Sequence, residues 1–499
     1  MLDAQAVGTG PDEFYARTLP PWRAAIRRFA MRNLEWESQC IGRMQRAIRT
    51  PWLDSFFVNT SSLGTHTFFM IALPALFFFG YPKIGRGLVF ILAMGVYCSS
   101  FIKDLFCSPR PYEPTVTRLT IGSHHLEYGF PSTHSTNSVS MALYVYSLVH
   151  QQYFESDAMS TLSYAITCVC LAFYTFSIVF GRLYTGMHSF TDCAVGVTLG
   201  SSIWAAHHIW WAPVESWLAG ASTSSPHPSW VGPLIIIVLC GMMVHWHPQP
   251  AEDCPCFEDA IAFVSVVAGV LLAHWASIRV NFDDASLVSR MAGTALPFLS
   301  SSPIAHPWDA AALWWATAIL KLTSGIAIIF IWRLAVKFAL HSLLPRFSGT
   351  GLPKRRFYLP ATEYDGAVPE ENGLHPVPSV IDLSEMLQSH ERKNYYIPDN
   401  ELGDIKYRKS RGRRSTDLRV QVLKDSKSDL DQTTSSQNEE KDDVTDDSVE
   451  GVKHYDADVL TKVIVYAGIG VISSGPIPIM FDVHVRTNNG DSFFCKSFI

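Results

Sequence analysis

Between residues 52 and 343 long apolar runs alternate with short polar breaks, and after about residue 345 the runs give way to a polar, charged stretch. A helix rises about 1.5 Å per residue, so roughly twenty apolar residues cross a hydrocarbon core of about 30 Å. The runs therefore predict spans at roughly 64–81, 87–106, 133–150, 162–181, 188–211, 230–246, 259–279 and 310–343. The last is long for one upright span and short for two, which predicts a tilted or protruding helix with Arg333 and Lys337 at its polar end. Composition follows the same division: 48% of residues are hydrophobic and 17% charged, a charge content low for a soluble chain.

Residues 1–50 lack the compact apolar core of a cleavable signal and instead mix Arg23, Arg27, Arg28, Arg43 and Arg46 with Trp22, Phe29 and Trp36. That mixture predicts an amphipathic arm on the cytoplasmic membrane surface, ahead of a membrane-embedded core at 51–300 and an additional membrane helix at 301–344. Residues 345–458 carry basic groups at Lys354-Arg355-Arg356 and an acidic, Ser- and Thr-rich stretch from Asp425 to Glu450, a composition expected to be disordered. Apolar character returns at 459–482, within a last segment 459–499, as an additional span or a short apolar stretch. Apart from Cys254 and Cys256, the cysteines mostly fall inside spans, as Cys98, Cys168, Cys170, Cys193 and Cys240 do, where each reads as a small apolar residue, so no disulfide framework is read from them. His245, His247, Cys254 and Cys256 look like a ligand set, but Cys-Pro-Cys spacing is awkward for shared ligation, and no metal is expected there.

Three polar clusters stand at the ends of apolar runs: Lys103 with Arg110-Pro111, then Pro131-Ser132-Thr133-His134, then Arg182 with His188 and Asp192. Ionisable groups at membrane edges are functional candidates, and these are the groups that phosphate transfer needs. Lys103, Arg110 and Arg182 offer cationic donors, with arginine able to fork onto two oxygens. Ser132 or Thr133 at a helix N-cap leaves backbone N–H groups for an anion. Four residues separate His188 from Asp192, so on a helix they share a face and the carboxylate can hold the imidazole. Singly, Lys103 reads as a snorkelling anchor and His134 as a helix-start residue; order and placement lift the set. His124, His125, Glu127 and Tyr128 in the intervening loop read as ordinary loop residues.

The pattern Lys103-x6-Arg110-Pro111, Pro131-Ser132-Thr133-His134 and Arg182-x5-His188-x3-Asp192 resembles the three-part signature of the type 2 phosphatidic acid phosphatase superfamily. Within it, Cys107-Ser108-Pro109-Arg110-Pro111 and Gly129-Phe130-Pro131-Ser132-Thr133-His134-Ser135 look most like the sphingoid long-chain-base phosphate (sphingosine-1-phosphate) phosphatases, over about residues 45–300. Thr133 stands where many members have Gly, and Gly181 where many have Ser. The resemblance implies an all-α polytopic membrane protein, a helical bundle of the type 2 phosphatidic acid phosphatase and vanadium haloperoxidase kind with a disordered polar C-terminal tail.

It further implies metal-independent dephosphorylation of sphingoid-base 1-phosphates, with no cofactor. His188 is the expected nucleophile, Asp192 its support and His134 the acid and base. Lys103, Arg110, Arg182, Ser132 and Thr133 bind the phosphate. The expected partners are a lipid phosphate and the bilayer, with no nucleic acid; the expected home is the endoplasmic reticulum membrane, with a luminal site. With eight spans and a cytoplasmic N-terminus, Lys103 would end on the cytoplasmic side, unless a further crossing or re-entrant helix lies around 46–63. A broader lipid phosphate or isoprenoid diphosphate phosphatase, and a non-catalytic lipid carrier of the same fold, are the alternatives.

Overall fold

The computed structural model describes residues 7–62, 66–112, 114–119, 127–157, 159–220, 230–252, 254–280, 307–347 and 457–481. These hold helices and no strand. His124, His125 and the tail expected at 345–458 fall almost wholly outside them.

Three short helices form the N-terminal arm: α1 (Asp12–Thr18), α2 (Pro21–Met31) and α3 (Leu34–Ile48). Then follow α4 (Pro51–Ser62), α5 (His66–Phe78), α6 (Pro82–Phe106), α7 (Thr133–Phe154), α8 (Thr161–Tyr184), α9 (Phe190–Leu218), α10 (Val231–His245), α11 (Cys256–Arg279), α12 (Pro307–Phe347) and α13 (Ala457–Ser474). Among the described residues, five helical stretches are long and apolar enough to cross a membrane: 82–106, 161–184, 256–279, 314–340 and 459–481. Helix α12 runs unbroken for 41 residues, about 60 Å, twice the hydrocarbon thickness.

Local chemistry sets the helix ends that matter. Helix α6 starts on Pro82 and stops at Cys107, whose left-handed backbone (φ 50°) returns its N–H to the Lys103 carbonyl; Pro109 and Pro111 then bar continuation. Serines start the next three helices: the side chains of Ser132, Ser160 and Ser189 each accept a first-turn N–H. Small residues let the backbones close up behind these caps, as lipid-embedded packing favours. A Cβ at Gly200 of α9 would lie 2.3 Å from the Thr136 carbonyl of α7, and one at Gly95 of α6 would lie 2.0 Å from Asn137 Oδ1. Helix α11 packs along both α6 and α13, and Lys462 of α13 pairs with Glu258 of α11.

The path from the arm to α6 runs through α4 and α5. Tyr184 at the end of α8 donates its hydroxyl to Asp54 Oδ1 of α4 at 2.7 Å. From there α4 runs back along α8, with Phe57 beside Phe180 and Phe56 beside Phe173. At the opposite end, Phe77 of α5 packs on Gly85 at the start of α6. Helix α4 thus lies along α8 and α5 against the start of α6, in the stretch where the sequence suggested a span at 64–81 with a possible further crossing or re-entrant helix before it. The polar Asp54, Asn59 and Ser61 that make 46–63 a poor span by hydropathy lie in α4. The arm and the C-terminal end of α6 lie together on one side. Arg23 of α2 confirms it, donating to the carbonyls of Leu105, Asp104 and Gln249, while Arg27 donates to the Cys107 carbonyl.

Candidate active site

The end of α6, the starts of α7 and α9 and the end of α8 meet on that side, and all three polar clusters arrive with them. Lys103, Arg110, Thr133, His134, Arg182 and His188 line one cavity, joined by Val96, Ser100, Glu127, Cys256 and Asp259. Ser132 and Asp192 stand just behind it, buried.

His188 does not lie on a helix. After α8 the chain turns at Gly186 (φ 67°), where a Cβ would meet Val116 and the Thr117 carbonyl; the N–H groups of Met187 and His188 then return to the Arg182 carbonyl. This turn folds His188 back over Arg182. Its Nδ1 is 2.8 Å from the Gly129 carbonyl, which only accepts, so Nδ1 carries the proton and Nε2 the lone pair. Nε2 faces Arg110 Nη1 at 3.2 Å. Arg110 is fixed by the carbonyls of Glu127 and Met187 at 3.0 and 2.9 Å. Burial first, then the positive charges of Arg110, Arg182 and Lys103, holds the His188 imidazole well below its ordinary value of 6.5, so the ring stays neutral.

Asp192 has a different first task from the one its spacing suggests. Helix α9 begins at Phe190, so His188 and Asp192 share no helical face; Asp192 Oδ2 accepts the Ser189 N–H at 2.8 Å while Ser189 Oγ accepts the Asp192 N–H at 3.1 Å. That reciprocal cap starts α9 and leaves Asp192 Oδ2 3.7 Å from His188 Nδ1, an electrostatic contact rather than a hydrogen bond. Glu37 of α3 steadies the same helix start by accepting from the N–H and hydroxyl of Thr191.

The serine and threonine of the second cluster are partly committed. Ser132 Oγ accepts from Ser135 N at 3.3 Å and Ser135 Oγ at 2.9 Å, and Ser132 N–H donates to the Asp192 carbonyl. Thr133 Oγ1 donates to Ser99 Oγ at 2.9 Å, tying the start of α7 to α6. What this end offers an anion is the positive pole of α7 with His134 on its first turn. Gly181, where a serine was expected from the wider pattern, backs against Phe57, and a Cβ would come within 3.2 Å of the ring. The Nε of Arg182 is buried without a hydrogen-bond partner among the described residues, a cationic donor beside the cavity.

Glu127, passed over in the sequence, belongs to the site: its Oε2 is 2.6 Å from Lys103 Nζ and 3.7 Å from Arg110 Nη2. An acidic loop residue carries no spacing signal; only the presence of two cations needing a counter-charge could have pointed to it. Tyr128 beside it is fully buried and accepts the Glu252 N–H at 3.1 Å. On the metal question, ligand atoms of Asp104, Cys254 and Cys256 lie within 4.8 Å of one another, and His247 Nδ1 is 3.6 Å from Asp104 Oδ2. Cys254 and Cys256 are paired as a disulfide there, a pairing no spacing in the sequence announced.

A family model described as the PAP2 superfamily matches residues 84–215, the segment from the start of α6 to near the end of α9. The chain is 34% identical over 333 residues to a dihydrosphingosine 1-phosphate phosphatase of Schizosaccharomyces pombe, spanning 65% of this chain and 71% of that one. It is 30% identical to a dihydrosphingosine 1-phosphate phosphatase of Saccharomyces cerevisiae, over 55% of this chain and 66% of the relative. With sphingosine-1-phosphate phosphatase 2 of Mus musculus it shares 29% identity over 44% of this chain and 57% of that one. A solved PAP2-type phosphatidylglycerolphosphate phosphatase from Bacillus subtilis is similar at 20% identity and a TM-score of 0.32, covering 40% of this chain and 95% of that one. The chain belongs to the PAP2 superfamily. It is a membrane-embedded lipid phosphatase, a hydrolase, most similar to the phosphatases of sphingoid-base phosphates.

Proposed function

We propose that the enzyme removes phosphate from sphingoid long-chain-base 1-phosphates, without a metal, through a phosphohistidine on His188. The observation that carries the mechanism is the fixed tautomer: Nδ1 tied to the Gly129 carbonyl and the Nε2 lone pair turned to Arg110 in the cavity. In the first step Nε2 bonds to phosphorus as the bond from phosphorus to the alkyl oxygen breaks, and His134 gives its proton to the departing alkoxide. Asp192, 3.7 Å from Nδ1, stabilises the charge that the ring acquires. His134 then takes a proton from water, whose oxygen attacks phosphorus and releases inorganic phosphate and neutral His188.

Lys103, Arg110 and Arg182 neutralise the phosphoryl oxygens, with the starts of α7 at Ser132 and Thr133 completing the cradle; such preorganised charge supplies most of the barrier lowering. The substrate class is favoured by the relatives' own substrates. A broader lipid phosphate specificity is the second reading, supported by the shared catalytic segment at 84–215. The endoplasmic reticulum membrane is the proposed location, and the arm and site lie on one side of it.

Phosphate release from dihydrosphingosine 1-phosphate and from phosphatidate, in chelator-treated membranes bearing wild type or His188→Ala, tests the reading. Release from the sphingoid substrate alone, lost in the variant, is expected. Equal release from phosphatidate would favour the broader specificity. No difference between wild type and variant would end the nucleophile assignment.

A further inference from the structure

Helix α3 lies ahead of the segment 84–215 that carries the shared chemistry, yet its buried face reaches the chain on both sides of His188. Glu37, Ser38, Ile41, Gly42 and Gln45 recur at helical spacing and are all buried, three of them polar. A polar face turned inward needs partners, and here the partners belong to the segments that build the site. Gln45 Nε2 donates to the Tyr184 carbonyl at 2.9 Å and to the Thr117 carbonyl at 2.7 Å, and its Oε1 accepts the Thr117 N–H at 2.9 Å. Ser38 Oγ accepts the Tyr112 N–H at 3.2 Å. Glu37 accepts from Thr191, just past His188. Gly42 permits the close approach, since a Cβ there would stand 2.3 Å from the Thr115 carbonyl.

These bonds hold two pieces of chain against each other: the turn that carries His188 and the loop that follows Arg110-Pro111. The two meet directly where the Leu119 N–H reaches the Thr185 carbonyl at 2.9 Å, and Gln45 bridges them again. A Cβ at Gly186 would lie 3.0 Å from Gln45 Nε2, so the carboxamide stands against the turn itself.

We propose that α3 registers the turn of the nucleophile against the Arg110 loop, with Gln45 as its chief positioning residue, so that the catalytic unit extends into the N-terminal arm. The inference rests on the reading of His188 as the nucleophile. Gly129 and Arg110 aim the imidazole, while Gln45 sets the backbone that delivers it. Arg110 has supports that do not involve α3: the Glu127 carbonyl, and the bond from the Gly129 N–H to the Ser108 carbonyl at 2.8 Å. Loss of the Gln45 carboxamide therefore leaves a phosphate its cations and shifts Nε2 off the line of attack.

The competing explanation is that Gln45 only braces the fold. Two oxyanions separate the two roles. Inorganic phosphate needs the cations alone, whereas orthovanadate accepts a fifth ligand and gains from a nitrogen placed for in-line attack. The test uses the full-length protein in lipid-supplemented detergent as wild type, Gln45→Met and His188→Ala. It measures kcat and KM on the faster of dihydrosphingosine 1-phosphate and phosphatidate, and the affinity for each oxyanion from the rise in unfolding temperature over a concentration series. Gln45→Met keeps the reach of the side chain without its hydrogen bonds. It is expected to lower kcat and vanadate affinity about tenfold each, with KM and phosphate affinity within about twofold of wild type. A lower unfolding temperature with kcat and the preference for vanadate unchanged, or equal loss of both oxyanions, would overturn the assignment and leave the nucleophile reading intact. If Gln45→Met does not fold, Ser38→Ala decides, because it releases only the Tyr112 N–H of the same loop. A fall of about threefold in kcat and in vanadate affinity, with phosphate unchanged, supports the proposal, and no change in either overturns it. Turnover and vanadate preference both retained in His188→Ala would remove the nucleophile reading and this inference with it.

Discussion

Arg86 and Lys103 stand near opposite ends of α6, both buried and both held by a glutamate. Arg86 Nε is 2.8 Å from Glu215 Oε1, and Lys103 Nζ is 2.6 Å from Glu127 Oε2. By distance and burial the pairs are nearly the same. They differ in what surrounds the carboxylate. Glu215 lies on α9, so its pair ties one long helix to another. Glu127 comes from a loop, reaches towards Arg110 as well, and shares a cavity with His134, Arg182 and His188. A buried charge is therefore read from what shares its partner and its cavity, since burial alone does not separate a strut from a site.

The sharpest way to break the comparison is to remove the group that makes the Lys103 end reactive. His188→Ala is expected to lower phosphate release by at least about a thousandfold with membrane insertion unchanged; retained activity would reduce the Lys103 end to a second strut. Next, Arg110→Lys keeps the charge but loses the planar fork that holds two carbonyls and faces Nε2, with an expected fall of about a hundredfold in kcat.

The Arg86 end should respond in the other currency. Arg86→Met leaves Glu215 buried beside an apolar chain and is expected to cost about 3–5 kcal/mol of stability, read as a lower unfolding temperature in detergent. Turnover per folded molecule should not change, and Arg86→Met with Glu215→Leu should recover most of the loss. A turnover defect at constant stability would show that the two ends are coupled.

pH separates them more gently. Because burial and neighbouring cations lower the His188 value, the neutral nucleophile persists as pH falls through 6.5, and the acid limb of kcat/KM that His188 sets should lie below 6.5. An unfolded histidine takes its proton first, so the same shift makes the fold lose stability as pH drops below 6.5 towards the folded value. A His188-dependent limb at or above 6.5 would contradict the buried, cation-flanked environment. The smallest effect expected is from Ser189→Ala, which removes one arm of the reciprocal cap at α9 for about 1 kcal/mol, seen as a modest drop in unfolding temperature.

The sequence pattern locates most of this architecture because lipid-facing helices and phosphate chemistry both leave local marks. Apolar runs mark α6, α8 and α11, and the three clusters mark the helix ends that line the cavity. The remainder depends on contacts between distant residues. Hydropathy cannot tell that α4 lies along α8 and α5 against the start of α6, because that follows from Asp54 meeting Tyr184 and Phe77 meeting Gly85. Four-residue spacing suggested a helical pairing of His188 with Asp192, but Ser189 caps the helix between them and a loop carbonyl at Gly129 takes the imidazole proton instead. Glu127 had no periodic neighbour to announce it, and Asp259 sits in an apolar run where its role in lining the cavity depends on α11 packing against α6.

The grip of Arg23 also sets an order of events during synthesis. Its acceptors are residues 104 and 105 and Gln249, which lies 226 positions after Arg23 itself. The arm leaves the ribosome first, yet its last acceptor is made only after α10 has followed, so the earliest residues are among the last to be seated. Until then the clasp on the end of α6 has only its nearer acceptors, at residues 104 and 105, and a newly made chain passes through a stage in which the arm is seated on α6 but not yet tied to the chain beyond α10.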